Sequence, residues 1–130
     1  SAIMDMKFHL ADPINIDVDA FEKETLEAMN MPKELVMRHR TPHFGHVFSG
    51  EGYATAYYGY MWADVITADA AEAFTEAPGG FYDKELSAKM VKYLFAPRNS
   101  MDPAEAYRKF RGRDAKIDAL MRDRGFPVAK

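Results

Sequence analysis

The sequence of 130 residues contains no cysteine. Disulfide bonds, zinc–thiolate sites and thiol nucleophiles are therefore excluded. No apolar run approaches the roughly 20 residues that a membrane-spanning helix needs, and no signal peptide is visible. The net charge of −3 lacks the basic excess that nucleic-acid-binding proteins usually carry. We therefore expect neither a membrane nor a nucleic acid as a partner.

The composition is that of a globular protein with a buried core. Hydrophobic residues make up 48% of the chain and charged residues 28%, which is enough apolar surface for a core and enough charge for solubility. We find no internal repeat and no low-complexity linker. The length suits one domain, and the sequence predicts a single helical domain over residues 1–130.

Helix signals dominate the sequence, and no segment alternates convincingly as a strand does. The sequence therefore predicts an all-α fold, a multi-helix bundle of six or seven unequal helices with angled crossings. The first predicted helix covers residues 1–9, and the second is capped by Asp17 or by an Asp19–Glu22 capping box. A short helical turn from Pro32 to Val36 and a long helix over 53–76 follow. The last three helices are one capped by Asp83 and closed by Pro97, one from Asp102 to Gly112, and one capped by Asp114 and ended by Gly125, with Ile117 facing inward.

Two groups of charges are interpreted as solvated. The basic run from Arg108 to Arg113 has acidic neighbours on both sides, which is typical of an exposed helix face. Asp64 and Asp69 stand five residues apart on a predicted helix, so their side chains should diverge. We expect both carboxylates to face water rather than act as an acid–base pair.

Residues 43–62, HFGHVFSGEGYATAYYGYMW, are the most informative block. Tyr53, Tyr57 and Tyr60 would project from one side of the predicted helix, whereas Tyr58 would face the core. The three phenols form either a half-buried stripe whose hydroxyls reach water, or a row of donors aimed at a carbonyl oxygen. A phenol stays protonated at neutral pH and can stabilise a developing oxyanion, and His46 could donate beside them.

The glycine-containing loop from Ser49 to Gly52 is not a phosphate-binding loop, because it lacks the Gly-Lys-Ser/Thr ending and a preceding strand. Gly50 and Gly52 would provide a hinge, allow a ligand to approach the backbone closely, or simply connect two helices.

A metal site from three histidines is the remaining candidate. His39, His43 and His46 would share one face of a helix, but Pro42 disfavours a helix there. Neither His39 nor His43 is followed by the glutamate that an H-E-x-x-H motif requires. The sequence therefore predicts no metal site in this chain.

The block closely resembles the C-terminal part of the zinc metallopeptidase family of thimet oligopeptidase and peptidyl-dipeptidase Dcp. That family carries a histidine, a glycine-rich loop and then Tyr-x-x-x-Tyr-Tyr-x-Tyr-x-Trp, which corresponds here to His46, residues 49–52 and the run from Tyr53 to Trp62. DVDAFEKETL upstream and DPAEAYRKFRGRDAKIDALMRDRGF downstream are also similar to the family. The tail favours the peptidyl-dipeptidase branch.

The resemblance implies catalytic roles for His46 and Tyr60 at the oxyanion, and substrate contacts for Tyr53 and Tyr57 and for the loop glycines Gly50 and Gly52. The loop here is longer than the Gly-Gly-Tyr of the oligopeptidase branch, which affects the position of Tyr53. The family's zinc ligands lie on H-E-x-x-H and on a later glutamate, and neither is found in this chain. The chain therefore resembles a C-terminal piece of a larger cytoplasmic enzyme, which fits its start without methionine.

From this resemblance we expect zinc and short peptide substrates in the full-length parent, and no zinc and no hydrolysis by this chain alone. The missing N-terminal portion of the enzyme would be the natural partner of this chain. Without that portion, the apolar surface that it covers in the parent would be exposed, so we expect the chain to self-associate. The alternatives are a stand-alone helical peptide-binding module without catalysis and a piece of an endo-acting oligopeptidase.

Overall fold

The computed structural model of the protein describes residues 1–128. Within this range the structure has seven α-helices and no β-strand, so the predicted all-α class is confirmed. The helices are α1 (Ala2–Leu10), α2 (Val18–Ala28), α3 (Gly45–Phe48), α4 (Gly59–Glu76), α5 (Lys84–Met90), α6 (Pro103–Arg111) and α7 (Ile117–Asp123). Two compact units are distinguished, a first one over Ser1–Tyr60 and a second one that begins at Met61.

Short 3-10 turns at Pro13–Asn15, Thr41–His43 and Gly80–Tyr82 lie between the α-helices, and a π-helical turn, Val91–Phe95, directly follows α5. None of the helices in the described part of the chain is both long enough and apolar enough to cross a membrane.

Aromatic side chains form much of the interior of the first unit. Phe44 and Val47, which flank the start of α3, are each only 1% exposed. Phe8 of α1 packs against Phe21 of α2 with ring centroids 4.4 Å apart, and it meets the edge of Phe48 at 6.0 Å. These contacts join α1, α2 and α3 around one apolar centre, because rings bury a large area in few residues.

Helix α2 begins at a different cap from the capping box considered above. The side chain of Asp17, not Asp19, accepts the Ala20 backbone N–H at 2.9 Å. Glu22 does not reach back to the helix start but is buried, and its Oε2 accepts from the Thr41 backbone N–H at 2.9 Å and from the Thr41 hydroxyl at 2.8 Å. Burial alone would raise the pKa of Glu22, but the hydrogen bonds from Thr41 and the nearby Arg40 guanidinium outweigh it and lower the pKa.

Replacing this carboxylate tests its contribution to the first unit. Glu22→Gln should lower the stability of the unit by about 1.5 kcal/mol, because hydrogen bonds to a buried charge are lost, and Thr41 amide exchange should accelerate. A lowered folded-state pKa means that wild-type Glu22 contributes stability above its unfolded pKa and loses it as pH falls through the folded value. The variant should therefore differ from wild type at neutral pH and converge with it in acid, as measured by urea unfolding. Glu24→Gln, at an exposed position of α2, is the control and should be nearly neutral.

The core of the second unit is built by α4 and α6. Its buried members are Ala70, Ala73, Phe74, Tyr107 and Phe110, and α5 and the π-helical turn add partly buried apolar side chains. Helix α6 also contacts the π-helical turn. Phe110 is the least exposed member of this cluster, at 1%.

The prediction that the Asp69 carboxylate faces water was wrong, because Asp69 belongs to a buried network of charged side chains. Asp69 is fully buried, and its Oδ2 accepts from the Tyr107 hydroxyl at 2.6 Å and from Arg113 Nη1 at 3.0 Å. Arg111 lies 3.4 Å from the same carboxylate and forms a two-pronged pair with Glu76 at 2.7 and 2.9 Å. The prediction of a fully solvated basic run was therefore wrong for Arg111, whose side chain is 9% exposed. Asp64, as expected, is exposed, and it pairs with Arg124.

Several boundaries also differ from the predictions. Residues 32–36 form a turn but no helix. The predicted cap of α7 at Asp114 was wrong: the N-cap is Lys116, without a side-chain hydrogen bond, and Asp114 accepts from Arg108 Nε at 2.7 Å. Ile117 is 57% exposed rather than turned inward. The helix predicted over 53–76 begins only at Gly59.

Candidate functional site

Four side chains of the first unit, His46, Tyr53, Tyr57 and Tyr60, form a compact group that we call the His46–tyrosine cluster. His46 Nε2 lies 2.8 Å from the Tyr60 hydroxyl oxygen, a hydrogen-bond distance. The imidazole centroid is 4.3 Å from the Tyr53 ring, 5.5 Å from Tyr57 and 5.7 Å from Tyr60. The imidazole therefore contacts all three phenol rings.

The tyrosines come together by a different route from the one predicted. They do not share a helix face, since residues 53–58 form successive turns and only Tyr60 lies in α4. Tyr53 and Tyr60 nevertheless stack nearly parallel with centroids 6.0 Å apart, and Tyr57 tilts against Tyr60 at 5.1 Å. Tyr58, which the helical pattern assigned to the core, is 55% exposed. The turns thus bring together three phenol rings, which a continuous helix would have spread along its axis.

The cluster is supported from the interior and open on its outer side. The buried Phe44 ring meets Tyr57 edge-on at 5.0 Å, and the short helix α3 holds His46 one position before the buried Val47. Tyr53 and Tyr60 are each 46% exposed. Buried contacts on the inner side and exposure on the outer side suit a group that presents polar atoms to another molecule.

The environment keeps Tyr60 protonated at neutral pH. The neighbouring Tyr53 hydroxyl raises the pKa of Tyr60 most, and partial desolvation and the proximity of Tyr53 and Tyr57 raise it further. In the tautomer with its proton on Nε2, His46 donates to the Tyr60 oxygen, and the Tyr60 hydroxyl can then donate to Tyr53 or to a bound molecule. The pair can therefore act as a polarised hydrogen-bond donor.

The loop glycines before the cluster have no structural constraint within the first unit. A Cβ atom added to Gly50 or Gly52 would meet nothing within 4 Å, and neither residue has a positive φ. Intramolecular packing therefore does not explain glycine at these positions. The hinge, the close approach of a ligand and the plain connector therefore all stay open for these two glycines.

The three histidines considered as metal ligands do not form a metal site. His39 stacks on Phe44 with centroids 5.3 Å apart, and His46 Nε2 is engaged by Tyr60. Nowhere in residues 1–128 do three His, Asp or Glu side chains group so that they could hold a metal ion. A catalytic zinc needs about three protein ligands, so the described residues do not fit one, and no step below depends on a metal held by this chain.

One residue next to the cluster was missed by the sequence interpretation. Asp5 of α1 is fully buried, and its two carboxylate oxygens accept from the Thr55 and Tyr57 backbone N–H groups, each at 3.0 Å. Thr55 has a φ of +60°, a conformation that costs a β-branched residue about 1–3 kcal/mol. No local pattern could reveal this, because 50 residues separate Asp5 from Thr55.

Comparison with known proteins defines the class to which this helical chain and its cluster belong. The sequence model of Peptidase family M3 matches residues 1–126. The chain is 32% identical to dipeptidyl carboxypeptidase of Escherichia coli (strain K12), over 98% of this chain and 19% of that protein. It is 39% identical to oligopeptidase A of Salmonella typhimurium (strain LT2), over 66% of this chain and 12% of that protein.

This chain belongs to peptidase family M3. The match confirms the resemblance that the tyrosine block and the tail suggested, and it identifies the chain as part of a family of zinc metallopeptidases. Alignment of nearly the whole chain with dipeptidyl carboxypeptidases weakly favours that branch. The chain spans less than a fifth of the length of the relatives it matches.

Proposed function

We propose that this chain supplies the substrate-binding and oxyanion-stabilising part of a zinc-dependent M3 peptidase. The observation that carries the proposal is the 2.8 Å hydrogen bond between His46 Nε2 and the Tyr60 hydroxyl, within a group of half-exposed phenols. We call the chain together with the zinc-bearing part of an M3 protein the complete peptidase. Both parts are needed for hydrolysis.

The chemistry follows from the charge that develops when a peptide bond is attacked. The carbonyl oxygen becomes an oxyanion, and a donor already oriented toward it stabilises the transition state more than the ground state. The Tyr60 hydroxyl is this donor, and His46 strengthens it by donating to the Tyr60 oxygen. Tyr53, Tyr57 and the backbone at Gly50 and Gly52 contact the peptide around the reacting carbonyl.

The reaction product is a C-terminal dipeptide released from a short peptide. The peptidyl-dipeptidase branch is favoured because two proteins named dipeptidyl carboxypeptidase align with 98% and 96% of this chain, whereas the oligopeptidase A of Salmonella typhimurium aligns with 66%. The cytoplasm is the proposed location. Exposed apolar residues of α1, such as Ile3 and Leu10, suit contact with the rest of the peptidase or with a second copy of the chain.

The purified chain should not hydrolyse a blocked tripeptide in the presence of zinc, whereas the complete peptidase should release dipeptides from it. The reason is that the described residues provide donors for the oxyanion but no group of three metal ligands. Product release is followed by chromatography over the same time course for both samples. Zinc-dependent turnover by the chain alone would contradict the proposal.

A second substrate separates the two peptidase branches. The same peptide with a C-terminal amide should be a poor substrate, because a dipeptide-releasing enzyme uses the free carboxylate to set its cleavage position. Equal cleavage of both peptides would indicate an endo-acting oligopeptidase. Peptide binding by the chain with no hydrolysis by any assembled form would indicate a binding module.

A further inference from the structure

Asp5 is the one fully buried carboxylate of the first unit, and both of its oxygens are used on the segment that carries the tyrosines. Oδ1 accepts from the Thr55 N–H and Oδ2 from the Tyr57 N–H, and Oδ1 also lies 2.9 Å from His9 Nδ1. A carboxylate that accepts several charge-assisted hydrogen bonds fixes its partners firmly.

A regular helix over this segment would have bonded the Tyr57 amide internally, whereas the Thr55 amide would lie in the first turn and have no helical partner in either case. A helix starting at residue 53 would direct the Tyr57 N–H at the carbonyl of Tyr53, four residues earlier. Instead the backbone turns at Thr55, whose φ of +60° is unfavourable for a branched side chain. Asp5 satisfies the two donors that this turn leaves without helical partners, and so it holds the turn.

The turn determines where the phenols lie. From the anchored Tyr57 the chain passes directly into α4, with the Tyr60 N–H donating to the Tyr57 carbonyl at 3.3 Å. The Tyr57 ring packs on Phe44, and the Tyr60 hydroxyl reaches His46. A shift of the backbone at residues 55–57 would therefore move both rings.

We propose that Asp5 is a positioning residue for the His46–tyrosine cluster, holding the strained turn at Thr55 so that Tyr60 meets His46. The catalytic part of this inference rests on the proposed function. Asp5 itself touches neither substrate nor the reacting atoms. It acts from α1 through two backbone amides.

Asp5→Asn is the direct test. An amide side chain can accept at its oxygen but presents an N–H₂ group where the second carboxylate oxygen stood. Exchange of the Thr55 and Tyr57 amides in the purified chain should accelerate by about 10- to 100-fold, in line with the loss of a hydrogen bond to a charge. The NMR signal of His46 Nε2 should shift as its contact with Tyr60 weakens. In the complete peptidase kcat should fall by about 10- to 100-fold with little change in KM, since small misplacements of catalytic groups are costly.

Asp69→Asn is the matched control, because Asp69 is also fully buried but lies in the second unit. It should destabilise the chain without changing the His46 Nε2 signal. If Asp5→Asn leaves the Thr55 and Tyr57 amides protected, or accelerates them no more than Asp69→Asn does, the inference is wrong.

Thr55→Gly keeps the test decisive if Asp5→Asn does not fold. Glycine adopts a positive φ without strain, so Thr55→Gly should retain amide protection and a kcat within about twofold of wild type, and it should partly restore both in the Asp5→Asn background. Loss of amide protection in the single Thr55→Gly variant would overturn the idea of a held, strained turn.

Failure of the oxyanion role of Tyr60 and failure of the positioning role of Asp5 can be told apart by experiment. If Tyr60→Phe leaves kcat unchanged, the oxyanion role is wrong, but the amide exchange and the His46 signal still decide whether Asp5 anchors the cluster. If the amides respond to Asp5→Asn and kcat does not, although it responds to Tyr60→Phe, the positioning role in catalysis is overturned.

Discussion

Replacing Tyr60 with phenylalanine is expected to lower kcat of the complete peptidase by about 10²–10³-fold, the range found when one oxyanion donor is removed. KM should change little, because the hydrogen bond is weak to a neutral carbonyl and strong only to the oxyanion. The ring is retained, so the stacking with Tyr53 and the contact with Tyr57 survive. Steady-state kinetics with the blocked tripeptide measure both constants.

The control for this experiment lies two residues away. Tyr58→Phe removes a phenol oxygen from the same segment, but Tyr58 is outside the cluster and is 55% exposed. Its kcat should stay within about twofold of wild type, as is usual for exposed substitutions away from special features. If both variants lose the same activity, or if Tyr60→Phe raises KM at constant kcat, Tyr60 is a substrate contact and not an oxyanion donor.

His46 should show a smaller effect in the same direction, because it acts on the substrate through Tyr60. A His46→Phe variant keeps an aromatic ring against Tyr53 but loses the Nε2 atom that forms the hydrogen bond with Tyr60. This difference in size follows directly from the geometry, since Nε2 is 2.8 Å from the Tyr60 oxygen and is used in that contact.

The elements that were predicted correctly depend on signals close in sequence. Asp83 caps α5 by accepting from Leu86, and Asp102 caps α6 by accepting from Glu105, both as the spacing indicates. Gly112 and Gly125 end their helices with φ of 81° and 74°, a conformation that glycine adopts at little cost. Such interactions are complete within four residues, so the sequence alone contains them.

The predictions that were wrong concern residues whose partners are distant in sequence. Glu22 fitted a local capping box, yet it bonds Thr41 nineteen residues later. Asp69 was expected in water, yet it meets Arg113 forty-four residues later. The start of α4 was placed too early because the Asp5 carboxylate binds the amides of Thr55 and Tyr57. Local propensity cannot anticipate a tertiary contact that competes for the same donors.

For the candidate site, the sequence indicated which residues lie together but not the backbone geometry that brings them together. The residue types and the family pattern identified His46 and the three tyrosines, and the structure brings them together as a cluster. The predicted reason, a shared helix face, was wrong. Spacing of four and three residues suits one face of a helix, but the turn at Thr55 achieves the convergence with a different backbone. Residues that the sequence groups together can therefore meet through a backbone geometry that the sequence does not predict.

The second large effect is expected at Asp69, where Asp69→Asn should lower the stability of the second unit by about 3 kcal/mol, the lower end of the range for breaking a buried ion pair. The lower end applies because Arg113 is 32% exposed and can be hydrated, and because Arg111 keeps Glu76. The Tyr107 hydroxyl also loses its charged acceptor at 2.6 Å. Urea unfolding and amide exchange within α4 and α6 measure the loss.

Asp64→Asn is the matched control on the same helix. Asp64 is 54% exposed and pairs with an exposed Arg124 at 2.8 Å, and such surface pairs contribute about 0–1 kcal/mol. Equal losses in the two variants would contradict a special role for the buried network. A loss confined to amides of the first unit would contradict its location.

The dependence on pH gives an independent check of the Asp69 charge. Burial alone would raise the pKa of Asp69, but hydrogen bonds from Arg113 and Tyr107 and the charges of Arg113 and Arg111 outweigh it and lower the pKa. Asp69 therefore stabilises the folded state above its unfolded pKa of about 3.9, and this contribution is lost as the pH falls through the folded-state value. The stability difference between wild type and Asp69→Asn should be full at neutral pH and shrink below pH ~4. A difference that stays constant into acid would mean that lost packing, and not the carboxylate charge, causes the destabilisation.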